Sequence, residues 1–265
     1  MLRWYYRIGE DTMDAIGFIG CGKCGKSLAY YFRDKGLNVI GFSSRHDNKE
    51  DFNFLSRSAL VEQSDIIFIT VTDSAISQVW ESIKNMNLDN KIICHCSGSL
   101  SSEVFSGAVN CCSVHPLFAF NSNHTSGISN AVFTIEGSDK AVDKISKILS
   151  VCGNSYKRIT SENKVKYHAA ACFASNFVVS VCKKAFDLMN ECGFSDDESR
   201  EAFTPLIRNN IDNILSVGCE KAITGPAIRG DILTIEKHLE VLDEKTSKLY
   251  KELTDVICEM KEKTD

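Results

Sequence analysis

The chain has 265 residues, 43% apolar and 25% charged, with a formal net charge of −5. This is ordinary globular composition, long enough for one large domain or two of moderate size. The acidic balance gives no basic footprint for nucleic acid, no stretch approaches the ~20 apolar residues that cross a bilayer, and residues 1–12 lack the apolar core and cleavage site of a signal peptide.

Neither nucleic acid nor a membrane is therefore expected as a partner, and a cytoplasmic location is. The twelve cysteines fit that location as reduced thiols. Cys94, Cys96, Cys172 and Cys182 sit within apolar runs, where cysteine behaves as a small hydrophobe. One C-x-x-C occurs, Cys21 to Cys24. Without a second ligand pair it is weak support for zinc, and no metal is expected.

In chain order, residues 15–20 (AIGFIG) form an apolar run ending in glycine, the pattern of a buried strand. Residues 26–35 have helical periodicity closed by Gly36. Further strands are predicted over 37–42, 65–71 and 91–96, with weaker signals at 109–114, 131–136 and 155–160. Helices fit 74–86 and 139–151. Strands alternating with helices imply parallel crossovers, hence an α/β fold with a doubly wound parallel sheet of the Rossmann kind. From Ser161 the strand pattern stops. Ser161 is placed as the cap of a helix running to about Cys192 and closed by Gly193. Ser195 or Asp196 opens a second helix toward Val217, Asp231 caps a third, and the last spans 243–263. Two domains follow: 1–160, which binds the dinucleotide, and 161–265, all helical.

Gly20-Cys21-Gly22-Lys23-Cys24-Gly25 reads G-x-G-x-x-G. It follows a buried strand, opens a helix and leads to a second strand, the context that turns a weak motif into a dinucleotide site. Gly20 permits the tight turn, Gly22 lets the backbone approach a pyrophosphate, and Gly25 lets helix pack on strand. The helix N-terminus offers free N–H groups to phosphate. At the end of the second strand stands Ser43-Ser44-Arg45, with no carboxylate for a ribose 2′-hydroxyl. Hydroxyls and a guanidinium suit a 2′-phosphate, so NADP(H) is the expected cofactor.

Ligands of open α/β sheets lie beyond the carboxyl ends of strands. Thr70-Val71-Thr72-Asp73, Ser97-Gly98-Ser99 and His115-Pro116 all end strands. Of these, Thr70, Val71, Thr72, Ser97 and Gly98 are expected against the cofactor. His115 reads either as a site residue or as a turn histidine. On the long helix, Lys164, His168, Cys172, Ser175 and Val179 share a face at about 100° per residue, with Asn176 on its flank. His168 and Asn176 are site candidates or satisfied core and interface residues. Ser175 leans to a bond with a helix carbonyl. Arg229 either binds a substrate carboxylate or forms a plain salt bridge, and Asp231 is first a helix cap.

Several segments taken in order, GFIGCGKCG, CSGSLSS (96–102), HPLFAF (115–120), FTIEG (133–137), YHAAACFASNF (167–177) and TGPAIRGD (224–231), resemble the Rossmann-like NADP oxidoreductases whose helical C-terminal half was long a domain of unknown function. The likeness spans about 15–249. It implies a helical domain like those of 6-phosphogluconate dehydrogenase, pyrroline-5-carboxylate reductase and ketopantoate reductase, a homodimer through the helix at 161–193, and an active site between the domains. It also makes Met13 an alternative start, a few residues before the first strand. Some members look like an alternative ketopantoate reductase of pantothenate synthesis, which makes 2-ketopantoate the leading small-molecule substrate. The related β-hydroxyacid dehydrogenases carry Lys-x-x-x-Asn on this helix. Here Lys164 is followed by His168 and Lys166 by Ala170, so those roles do not transfer.

The expected mechanism is hydride transfer from NADPH to a carbonyl or imine carbon. His168, or Lys164, would be the acid, Asn176 and Ser97 would orient the carbonyl, and Arg229 would hold a carboxylate. The alternatives are imine reduction and a non-catalytic NADP-responsive binding protein.

Overall fold

The computed structural model describes residues 14–45, 51–120 and 127–262; the readings on residues 1–12 and on Met13 lie outside them. Seven strands form one sheet in the order β2-β1-β3-β4-β5-β6-β7. They are β1 (Ile16–Ile19), β2 (Val39–Ser43), β3 (Ile66–Ile69), β4 (Ile92–His95), β5 (Cys111–Pro116), β6 (Phe133–Gly137) and β7 (Tyr156–Arg158). Between them come α1 (Lys23–Asp34), α2 (Arg57–Gln63), α3 (Asp73–Ile83) and α4 (Asp139–Cys152). The first five strands are parallel. Their continuous apolar runs follow from burial on both faces. Phe18 of β1 pairs in register with Phe42 and Phe68, and the three rings form a row on one face of the sheet. Trp80 and Phe105 close the other.

Three details differ from the sequence expectation. β6 runs antiparallel to β5. It starts at Phe133, opposite Pro116, where β5 ends, and no helix of the described residues carries the chain back across the sheet. The helix α2 had no predicted counterpart, although Ser56 caps it by accepting from the Ala59 amide. Ser161 is not a cap. It begins a 3₁₀ turn, Ser161–Asn163, ahead of α5 (Lys164–Cys172).

The helical run continues through a π turn, Phe173–Phe177, into α6 (Val178–Glu191). The wider π turn breaks the 100° periodicity, so Ser175 and Val179 do not continue the face of Lys164 and His168; both are exposed. The Ser175 hydroxyl donates to the Ala171 carbonyl (2.6 Å). By length and composition this run, 161–191, is apolar enough to cross a membrane, which amends the expectation that no stretch is. Its Lys164 and Tyr167 are nevertheless tied to the sheet by polar bonds.

The chain divides into two compact units, residues 1–175 and 176–265. The division falls inside the helical run because α5 is bonded to the ends of β4 and β5. The second unit holds α6, α7 (Asp196–Val217), α8 (Cys219–Ala222), α9 (Pro226–Arg229), α10 (Ile232–Val241) and α11 (Glu244–Glu262). Ser195 and Glu198 form a reciprocal capping box on α7, and Asp231 caps α10 through the Thr234 amide.

Candidate active site

The glycine loop folds as its spacing requires. Gly20 has φ +107°, and a Cβ there would lie 2.8 Å from the Thr70 carbonyl. At Gly25 a Cβ would meet Thr70 Oγ1 at 2.4 Å and the Gly20 carbonyl at 2.7 Å. A Cβ at Gly22 has nothing nearer than 3.9 Å, because that side opens on a cleft of about 630 Å³. The cleft is lined by Gly20 to Cys24, Ser43, Ser44, Arg45 and Thr70, Val71 and Thr72, all expected, and also by Arg57. Arg57 Nη1 donates to Ser82 Oγ (2.8 Å), which aims it from the start of α2. Among the described residues the lining holds three cations, Lys23, Arg45 and Arg57, and no carboxylate. A pyrophosphate at the N-terminus of α1 and a 2′-phosphate near the two guanidiniums fit this charge pattern.

Beside it, beyond the ends of β4 and β5, lies a second polar group. His95 is buried and its tautomer is set by its partners. The Ser97 amide donates to Nδ1 (3.1 Å), which leaves Nε2 to donate to the Ser101 carbonyl (3.2 Å). Burial pushes this imidazole down to about 4, so it is neutral. The Ser97 hydroxyl donates to Asp73 (2.7 Å) and accepts from the amides of Ser99 and Leu100. Committed in this way, it organises the turn rather than presenting itself to a ligand. Glu136 accepts from both the amide and the hydroxyl of Ser102.

Lys164, 1% exposed, reaches into the turn, where Nζ donates to the Ser97 carbonyl (2.9 Å) and to Ser113 Oγ (2.5 Å). Burial holds it down to about 8, against the pull of Glu136, Cys96 and Asp73. His115 and His168 converge edge to face, with ring centroids 6.0 Å apart, on Gly98. A Cβ on Gly98 would lie 2.4 Å from His168 Cδ2 and 3.0 Å from His115 Nε2. Burial, then the Lys164 charge, pushes His115 down to about 4. The neighbouring Cys24 thiol, then burial, pushes the Cys96 thiol up. Cys24 of the nucleotide loop and Cys96 of the histidine turn pack against the same core cluster.

Residues 15–97 match the family described as NADP oxidoreductase, coenzyme F420-dependent, and residues 131–257 match a domain of unknown function, DUF2520. The chain is a Rossmann-like NADP oxidoreductase. Its fold is similar to that of a protein from Bacteroides fragilis assigned as an NADP oxidoreductase, with 25% identity over 93% of this chain and 98% of that one, TM-score 0.79. A Thermotoga maritima protein is similar at 25% identity, 94% and 99% coverage, TM-score 0.72. The pyrroline carboxylate reductase of Plasmodium falciparum, solved with NADP bound, shares the fold at 17% identity, 94% and 98% coverage, TM-score 0.63. No curated relative matches by sequence. NADP(H) is the cofactor of this oxidoreductase, and the reading as a non-catalytic binding protein is set aside.

Of the expected site residues, the structure brings together Ser97, Gly98, His115, Lys164 and His168. Asn176, exposed, and Arg229, exposed at the end of α9, lie in the helical unit. Sequence reasoning gave no role to Arg57, His95, Ser113, Glu136 or Tyr167. Tyr167 stood in the quoted YHAAA segment, but nothing in spacing alone directs a tyrosine at His115.

Proposed function

We propose that the oxidoreductase reduces the carbonyl of a small carboxylate-bearing substrate, with 2-ketopantoate the first candidate. The observation that carries this reading is the pair of imidazoles meeting at Gly98, on a turn whose Cys96 packs against the same core cluster as Cys24 of the nucleotide loop. Bound NADPH supplies the hydride. His168 gives the proton to the oxygen as the carbonyl is reduced, and neutral His115 polarises it by hydrogen bonding. Lys164 is not the acid here. Its ammonium is spent on Ser97 and Ser113, and it holds the turn that carries Gly98. Asn176 and Arg229 remain the helical unit's candidates for orienting the substrate and holding its carboxylate.

The helical unit carries many exposed large apolar side chains, among them Val179, Leu206, Leu215, Leu233 and Val256. That amount of exposed apolar surface fits a homodimer through the long helix, which light scattering of the purified chain tests as a doubled mass. None of the twelve cysteines forms a disulfide, in keeping with a reducing, cytoplasmic location.

The deciding experiment follows NADPH oxidation with 2-ketopantoate, with NADH in parallel and a cyclic imine carboxylate as the competing substrate. Fast turnover of the keto acid with NADPH supports the proposal. Turnover of the imine alone replaces it with imine reduction.

A further inference from the structure

Tyr167 is the neighbour of His168 on α5, and its phenolic oxygen lies 2.6 Å from His115 Nδ1, the rings edge to face. Burial pushes the phenol up and the imidazole down, so both are neutral near pH 7. One proton lies between them, and its owner decides what His115 presents to the site. If the phenol donates, Nδ1 is the acceptor and Nε2 keeps its hydrogen. If Nδ1 donates, Nε2 faces the site as a bare lone pair.

The surroundings choose between these. Thr134 on β6 is the register partner of His115. Its buried hydroxyl has no hydrogen-bond partner in the structure, and it stands near enough to pull the phenol down against the effect of burial. A hydroxyl that turns to donate to the phenolic oxygen gains the partner it lacks, and the phenol's proton then goes to Nδ1. Nε2 is the atom that meets Gly98. The charged and titratable groups around the ring are Lys164, His168, Asp73 and His95.

Resting on the reductase reading above, we infer that Tyr167 is a positioning residue that fixes His115 as its Nε2–H tautomer. A neutral N–H donor at the reaction site accommodates an acceptor oxygen. It does not accommodate a protonated iminium, whose own N–H would face it donor to donor. The tautomer thus sets the site for a ketone carbonyl.

The test is a long-range proton–nitrogen spectrum of the full chain labelled at histidine, without substrate, with His115 identified by its loss in His115→Asn. The expected spectrum shows Nε2 protonated and Nδ1 as a hydrogen-bonded acceptor. In Tyr167→Phe the ring exchanges between tautomers, and keto-acid kcat falls about tenfold or more, as when the partner orienting a histidine is removed, with NADPH affinity unchanged. A wild-type ring protonated at Nδ1, or a signature indifferent to Tyr167→Phe, overturns the assignment. A wild-type enzyme that prefers cyclic imines over keto acids overturns the carbonyl part. If the signature is as expected but neither substrate class turns over, the reductase reading fails and the Tyr167–His115 tautomer stands.

Discussion

Single atoms decide the geometry at Gly98. Its missing side chain is the space in which His115 and His168 approach each other. Gly98→Ala places a methyl against His168 Cδ2 and His115 Nε2, so the imidazoles must shift to make room. At least a tenfold loss of kcat is expected, scaled on the ~10²-fold cost of misplacing a reacting group by about an ångström. NADPH affinity, measured by fluorescence titration, should change little. Arg57 is the matching residue in the nucleotide cleft. Replacing it with Met removes one charge-assisted bond, each worth about 1.5–3 kcal/mol. NADPH affinity should therefore drop on the order of tenfold or more while NADH affinity holds. Equal losses for both nucleotides would mean that Arg57 does not read the 2′-phosphate.

Among the elements, the helical run 161–191 does two jobs with two kinds of turn. Its first part, α5, is bound to the sheet by Lys164 and Tyr167, and the π turn at 173–177 then re-aims the chain into α6. Regular helix would have kept Ser175 and Val179 on the face of Lys164. A five-residue turn rotates them off it. The helix α7 shows simpler logic. Ser195 accepts from the Glu198 amide, and the Glu198 side chain accepts from the Ser195 amide. Ser195→Ala should cost about 1 kcal/mol, seen as a lowered denaturation midpoint with spectra of the nucleotide unit unchanged.

Across the whole molecule, pH acts through the buried imidazoles. His95 and His115 both titrate near 4 in the fold, below the ordinary 6.5. Between pH 6.5 and 4 the unfolded chain binds protons that the folded chain refuses. Stability is therefore fully present above about 6.5 and is lost as pH falls, by at most about 1.4 kcal/mol per pH unit for each imidazole. Lys164, held near 8, gives the same sign in another window. Stability rises as pH climbs from about 8 toward 10.5, because only the unfolded lysine still holds its proton. Thermal melts across pH 4–7 should slope upward, and His95→Asn should flatten that slope. An unchanged slope would place the acid sensitivity elsewhere.

The sequence alone determined the parallel strands, the helical second half, the glycine loop and the preference for NADP. Each of these is a local matter: apolar runs of strand length, a glycine spacing that only one turn satisfies, and a strand end with arginine where NAD enzymes carry an acid. His115 was legible as a candidate because it follows a predicted strand, and His168 because it shares a helix face with Lys164. The tertiary structure alone decided the antiparallel return of β6, the π turn, and the roles of Lys164 and Tyr167. A lysine in an amphipathic helix gives no sign of whether its ammonium meets solvent or the carbonyl of a turn 67 residues away. Nor does a tyrosine reveal which of two imidazole nitrogens it will face. Those outcomes depend on contacts between residues far apart in the chain, which fold into place together and leave no periodic trace in either segment.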